Sequence, residues 1–243
     1  MWRPSDRPEL ITDAPAAALA VYAHPNDPEI SCGGTLAVWA AAGSEVHVLT
    51  CTRGEKGSTD AGTDPAALAR RRAQEVSAAA QAMALAGHEQ LPIGDGELEN
   101  SHSVRGRIVA TIRRVQPEVV VCPDPTAVFF GDTYFNHRDH RMAGWATLDS
   151  VAPAAGNPLY FPDSGPPHQV KAVLLSGTLE PNVWVDIAAT LEKKVDALRC
   201  HRSQLGDRGE EWVRAVVVQR AEDGGRVAGV RYAEGFRRLS LAN

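Results

Sequence analysis

His24 and Asp27 stand three residues apart in the run Ala23-His24-Pro25-Asn26-Asp27-Pro28-Glu29. Far along the chain, His137 and His140 bracket Arg138-Asp139. Imidazole nitrogen and carboxylate oxygen are good zinc ligands. His24 and Asp27 are close enough on one loop to grip a single ion. A catalytic zinc usually takes three protein ligands and keeps one position for water. His140 can supply the third ligand from a second place in the fold. His137, one helical turn before it, would then lie near the same ion, so that one of the two histidines can ligate while the other handles protons. Each residue also has a plainer use. His24 can hydrogen-bond a loop, Asp27 can cap a helix, and the two later histidines can sit on a helix surface. Their positions after two apolar runs favour joint use.

Those apolar runs read as strands. Residues 18–23 form a short buried strand that ends at His24-Pro25-Asn26-Asp27. Residues 117–122, with Val119-Val120-Val121, form another that ends at Pro123-Asp124-Pro125 and leads to the second histidine pair. Gly33-Gly34 opens a helix over 35–42, closed by Gly43. Strands follow at 45–52, 90–93, 170–176 and 183–187. Helices follow at 65–86, stopped by Gly87, and at 104–115, 140–151, 190–205 and 210–222. In the helix over 190–205, Lys193 and Lys194 are placed on the wet side. Residues 53–64 read as a long loop. Alternating strands and helices imply an α/β fold with a mostly parallel sheet. Sites in such folds form beyond the carboxyl ends of the strands, where both polar clusters fall.

A chain of 243 residues, 44% apolar, suits one domain over 1–243, with 1–16 as a surface segment. The formal net charge is -5, and the densest basic cluster is only Arg70-Arg71-Arg72. Nucleic acid is therefore not an expected partner. No apolar run reaches the ~20 residues that span a bilayer, so no membrane partner is expected either. No secretory signal is visible at the start, and Cys32, Cys51, Cys122 and Cys200 form no CxxC pair. They read as reduced thiols, and a cytoplasmic location is the default expectation. Gly33-Gly34 lacks the rest of a G-x-G-x-x-G phosphate cradle, and no G-x-S-x-G surrounds a serine. His201, near Ser203-Gln204, reads as structural. Homo-oligomerisation stays open.

The run from Ala23 to Glu29, followed by Cys32-Gly33-Gly34-Thr35-Leu36, closely resembles the signature of the LmbE-like, or PIG-L, deacetylases, AHPDD-x-E with a GG-T-L helix start. His137-Arg138-Asp139-His140 is similar to the family's H-x-D-H motif. Thr52-Arg53-Gly54-Glu55 with Gly57 resembles its T-x-G-E-x-G loop, and Arg72-x-x-Glu75 and Asp95-Gly96 fall where members carry such residues. The resemblance runs from about residue 18 to 205. It implies a Rossmann-like three-layer fold and one zinc ion per chain, held by His24, Asp27 and His140. It implies removal of an acyl group from nitrogen, on N-acetylglucosamine conjugates or related thiol-conjugate amides. By the same resemblance, His137 would be the general acid and Asp139 would orient or tune it. Arg72 and Asp95 would hold the sugar or its substituent.

At the general-base position the family has aspartate, and this chain has Asn26. A neutral amide can orient a water but cannot take its proton. Three readings follow: an engineered substitution, a natural loss of activity that leaves a ligand-binding protein, or a base supplied by another group such as Glu29 or a substrate carboxylate. Hydrolysis of an ester or a thiol conjugate on the same metal is a further alternative.

Overall fold

The computed structural model describes residues 8–205 and 209–241. Its central strand, β2 (Ala17–Tyr22), is buried along its whole length. Ala18, Ala20 and Tyr22 enter one apolar core, while Leu19, Val21 and Ala23 beside them enter another. Alternate side chains leave a strand on opposite faces, so such a strand needs helices above and below it.

The other strands are β1 (Glu9–Leu10), β3 (Glu45–Thr52), β4 (Gly87–Ile93), β5 (Val119–Pro123), β6 (Phe129–Phe130), β7 (Tyr134–Phe135), β8 (Ala172–Ser176), β9 (Val183–Asp186) and β10 (Ala233–Ser240). Eight of them form one sheet in the order β1-β9-β10-β8-β5-β2-β3-β4, and β6 and β7 form a separate hairpin. In the eight-stranded sheet the pairs around β2 are parallel, and among the described residues β10 alone runs antiparallel to its neighbours, β8 and β9. The helices are α1 (Asp27–Ala41), α2 (Pro65–Ala82), α3 (His102–Val115), α4 (Arg138–Asp149), α5 (Leu191–Arg199), α6 (Arg202–Leu205) and α7 (Glu210–Ala228). Leu36 of α1, Val195 of α5 and Val217 of α7 cover one face of the sheet. Ile108 of α3 and Ala146 of α4 cover the other. The mostly parallel three-layer α/β architecture is as expected. Among the described residues, no helix is long and apolar enough to cross a membrane.

Several boundaries differ from the sequence reading. The first helix begins at Asp27, not after the glycine pair, and kinks at Cys32 (φ -146, ψ 16). Gly34 is there for packing: a Cβ on it would lie 2.7 Å from Ile187 Cδ1. The second helix stops at Ala82, because Ala84 turns left-handed (φ 58) and the Leu85 N–H reaches back to the Ala80 carbonyl. Gly87 accordingly opens β4 rather than ending α2. The helix expected over 190–205 breaks into α5 and α6 around a fully buried His201. Strand β10 and the β6–β7 hairpin have no counterpart in that reading.

Lys194 is a correction with a cause. It is buried, not on the wet side, and its Nζ donates to Glu234 Oε1 at 2.6 Å and to the Ile30 carbonyl at 2.9 Å. Glu234 in turn accepts from the Gly34 N–H at 3.0 Å, the Thr35 N–H at 2.7 Å and the Thr35 hydroxyl at 2.6 Å. A kink interrupts the helical hydrogen-bond ladder, and this ion pair meets the backbone groups on both sides of Cys32. It therefore holds the turn that carries Asp27. Removing one partner leaves a buried charge unmatched, so Lys194→Met is expected to cost about 3–5 kcal/mol of stability. Equilibrium denaturation in urea reads this directly, and a cost below about 1 kcal/mol would mean that the pair does not carry the kink.

Candidate metal centre

Three strand ends meet at the site. After β2 the chain turns through Pro25 and Asn26, and α1 starts at Asp27. Asn26 is the N-cap of α1 and adopts the left-handed region (φ 83, ψ -17). Asparagine tolerates that region better than most residues. The turn folds the Asp27 side chain back, so that its Oδ2 accepts from the His24 N–H at 2.8 Å. After β4 the turn at Asp95-Gly96 comes alongside. After β5 the chain passes through the β6–β7 hairpin and enters α4, whose N-cap is His137.

The ring nitrogens and the carboxylate are aimed by their outer contacts. His140 Nδ1 lies 3.0 Å from Asn136 Oδ1, an acceptor, so this nitrogen carries a proton and Nε2 is the nitrogen placed to meet an ion. That Nε2 is 3.3 Å from Asp27 Oδ2. His24 Nε2 lies 3.1 Å from Asp95 Oδ1 and 3.3 Å from Asp139 Oδ2, while its Nδ1 is 3.3 Å from Asp27 Oδ2. His24 Nδ1 and His140 Nε2 thus both lie 3.3 Å from Asp27 Oδ2, which stands between the two rings.

This donor set fits a cation. Ligands about 2.0–2.2 Å from a tetrahedral ion stand about 3.3–3.6 Å from one another. Asp27 is at that spacing from both rings, longer than the ~2.7–2.9 Å of a charge-assisted hydrogen bond. The electrostatics agree. Burial would lower the pKa of His24, but hydrogen bonds with Asp139, Asp27 and Asp95 outweigh it and push it up to about 12. Burial works to raise Asp27, yet His140 first and then His24 hold its carboxylate far below the usual range. Three carboxylates surrounding one imidazole call for positive charge, and a divalent ion between the two rings and Asp27 would answer it. Nitrogens of His24, His137 and His140 also lie within 4.8 Å of one another, which brings His137 to the same place.

The structure adds contacts to two residues for which the family resemblance implied roles. The Asp139 carboxylate faces His24, not His137, and accepts from the Gly96 N–H at 2.7 Å. It also acts on His137: its negative charge works to raise the His137 pKa, and the Asp139 N–H donates to His137 Nδ1 at 3.1 Å. That bond caps α4 and leaves Nε2 as the protonated nitrogen of a neutral His137 ring. Burial, followed by the charges of His24 and His140, holds the His137 pKa below its ordinary value. Arg72 is the second residue. Its guanidinium donates to the Gly54 and Gly57 carbonyls, and a Cβ on either glycine would collide with it. Arg72 therefore pins the 53–57 loop at the rim, where it lines a cavity with Asp95 and His137. Glu29 lines neither cavity beside Asn26. It is buried, with its Oε2 3.4 Å from His201 Nε2, so it is badly placed to replace the base.

Two cavities meet at Asn26 and Asp27. The smaller, about 300 Å³, includes His24, Gly57, Arg72, Asp95, His137 and Gln204. The larger, about 700 Å³, includes Tyr22, Ile30, Phe130, Tyr134, His140 and Arg220. Sequence reasoning missed Asn136 and the hairpin aromatics. Asn136 has a local signal, as a polar amide next to His137 at i−4 from His140. The hairpin had one too, in aromatic pairs flanking Gly131-Asp132-Thr133.

A carboxylate behind a metal-ligating histidine fixes its ring and raises its basicity. Asp139→Asn is therefore expected to weaken zinc binding by about 10–100-fold, measured by competition with a chromogenic chelator. Unaltered affinity would remove Asp139 from this role.

A family model described as PIG-L, GlcNAc-PI de-N-acetylase, matches residues 19–151. Diacetylchitobiose deacetylase of Thermococcus kodakarensis is 34% identical over 227 residues, covering 90% of this chain and 81% of its own. The 1D-myo-inositol 2-acetamido-2-deoxy-alpha-D-glucopyranoside deacetylase of Rhodococcus jostii is 30% identical, covering 77% of this chain and 81% of its own. The solved N,N'-diacetylchitobiose deacetylase of Pyrococcus horikoshii superposes with a TM-score of 0.84 at 31% identity, over 93% of this chain and 84% of that one.

Proposed function

The chain belongs to the PIG-L family, and from that premise we propose that it hydrolyses the N-acetyl amide, or a related acyl amide, of a small amino-sugar conjugate, with one zinc ion per chain. The observation that supports this reading is that His24 Nδ1 and His140 Nε2 each lie 3.3 Å from Asp27 Oδ2, where two cavities meet. These three residues would hold the ion. When bound, the ion would polarise the acyl carbonyl and acidify a water.

The rest of the reaction falls to the chain's own groups. Asn26, lining both cavities, can orient the attacking water through its amide but cannot accept its proton. His137 can donate a hydrogen bond from Nε2 to the developing oxyanion. In its protonated form, with Nδ1 released from the Asp139 N–H, it can pass a proton to the amide nitrogen as the carbon–nitrogen bond breaks; the proton lost by the attacking water goes to solvent, and a carboxylic acid and a free amine leave. Asp139 and Asn136 hold the two histidine rings in register. Asp95, at the wall of the smaller cavity, is placed to accept hydrogen bonds from sugar hydroxyls.

Asn26 also supports a second reading, in which the same site binds such a conjugate and turns it over poorly or not at all. Acetate release from N-acetylglucosamine and N,N'-diacetylchitobiose, run beside matched esters, separates the readings. Amide cleavage with little ester preference supports the deacetylase. Tight binding of the sugars with no acetate release supports the binder. Ester cleavage alone would overturn both.

A further inference from the structure

The larger cavity is far roomier than an acetyl group requires. At about 700 Å³ it is in the range that accepts a drug-sized ligand. Its walls differ in chemistry. On one side the hairpin presents Phe130 and Tyr134, a cross-strand pair whose ring centroids are 5.7 Å apart. Facing them are Ile30 of α1 and Arg220 of α7. Arg220 is exposed, and among the described residues it makes no hydrogen bond or ion pair. Three other cations around the same end of the sheet are matched, Arg53 by Glu55 at 3.1 Å, Lys56 by Glu97 at 2.6 Å, and Arg138 by the Leu98 carbonyl at 2.6 Å, whereas the buried Nε of Arg141, beside His140, has no hydrogen-bond partner among the described residues.

The sugar itself supplies the geometry. In an N-acetylated 2-amino sugar the amide stands on C2, with C1 and C3 on either side. With the amide at Asn26 and Asp27, the hydroxyl edge of C3 and C4 can face Asp95 in the smaller cavity. The C1 substituent then points into the larger one. We propose that the larger cavity is the subsite for the C1 substituent, and that it selects one presenting a ring or chain to Phe130 and Tyr134 and a negatively charged group to Arg220. This rests on the amino-sugar reading above. Aromatic faces give apolar contact and stacking, and a guanidinium pairs with an anionic group through charge-assisted hydrogen bonds.

The test is calorimetric binding of two glycosides to the full chain at low ionic strength: the 4-carboxyphenyl glycoside of N-acetylglucosamine and its neutral methyl ester. The carboxylate is expected to bind about tenfold more tightly, an advantage that fades as salt is added. Arg220→Glu should abolish or reverse the preference, and Phe130→Ala should weaken both ligands. Arg214→Glu, on the same helix but paired with Glu192, should leave the preference in place. Equal affinities, a preference for the ester, no binding of either glycoside, or a preference that survives Arg220→Glu would overturn the proposal. Acetate release from N-acetylglucosamine is scored separately. A charge preference without any amide cleavage would sink the hydrolase reading and leave the subsite standing.

Discussion

Replacing Asn26 by aspartate is expected to raise amide hydrolysis by roughly 10²–10⁴-fold, the usual contribution of a positioned general base. The side chain is already in place: residue 26 lines both cavities and adjoins Asp27. The exchange asks little of the backbone, because asparagine and aspartate both tolerate the left-handed conformation found there. It also keeps the shape, so a gain in rate reports the carboxylate alone. The obvious substitute, Glu29, is buried against His201 and lines neither cavity. Steady-state kcat/KM on N-acetylglucosamine, with zinc content matched between the two proteins, measures the effect. Equal rates would mean that the proton of the water leaves by another route.

In that Asn26→Asp background, loss of the His137 ring is expected to lower kcat by a similar ~10²–10⁴-fold. The complication is that His137 also caps α4. Losing a cap costs about 0.5–2 kcal/mol, which can mimic a catalytic defect through unfolding. His137→Asn keeps a good cap and removes the proton donor, whereas His137→Ala removes both. Equal losses of kcat in the two variants, with the stability of only the second reduced, assign the effect to chemistry. Activity recovered in His137→Asn would instead make the residue a cap.

The sequence carried the site more legibly than the elements around it. Side-chain chemistry and local spacing were enough to bring out His24, Asp27, His137 and His140, because two motifs each put several ligand types within one turn. The parallel sheet was legible for a similar reason: strands buried on both faces, such as β2 and β5, read as continuous apolar runs. The start of α1 was not. Gly33-Gly34 looks like a beginning, but the kink at Cys32 is held open by Lys194 and Glu234, which lie 160 and 200 residues from Gly34. No local window contains that information. Strand β10 escaped for a different reason. Its sequence, AEGFRRLS, lacks the alternation of a half-buried strand and is fixed by pairing with β8 and β9. The link of Asp139 to His137 was legible in the motif, but its contact with His24 spans 115 residues and was not.

The claim on which the rest stands is that His24, Asp27 and His140 hold one divalent ion. Elemental analysis of chelator-stripped protein after zinc reloading and dialysis tests it most directly, run beside His140→Ala. The expected result is close to one zinc per chain, falling well below half in the variant while the far-ultraviolet circular dichroism of the two proteins coincides. Full occupancy in His140→Ala, or no zinc retained by the unaltered chain, would contradict the account.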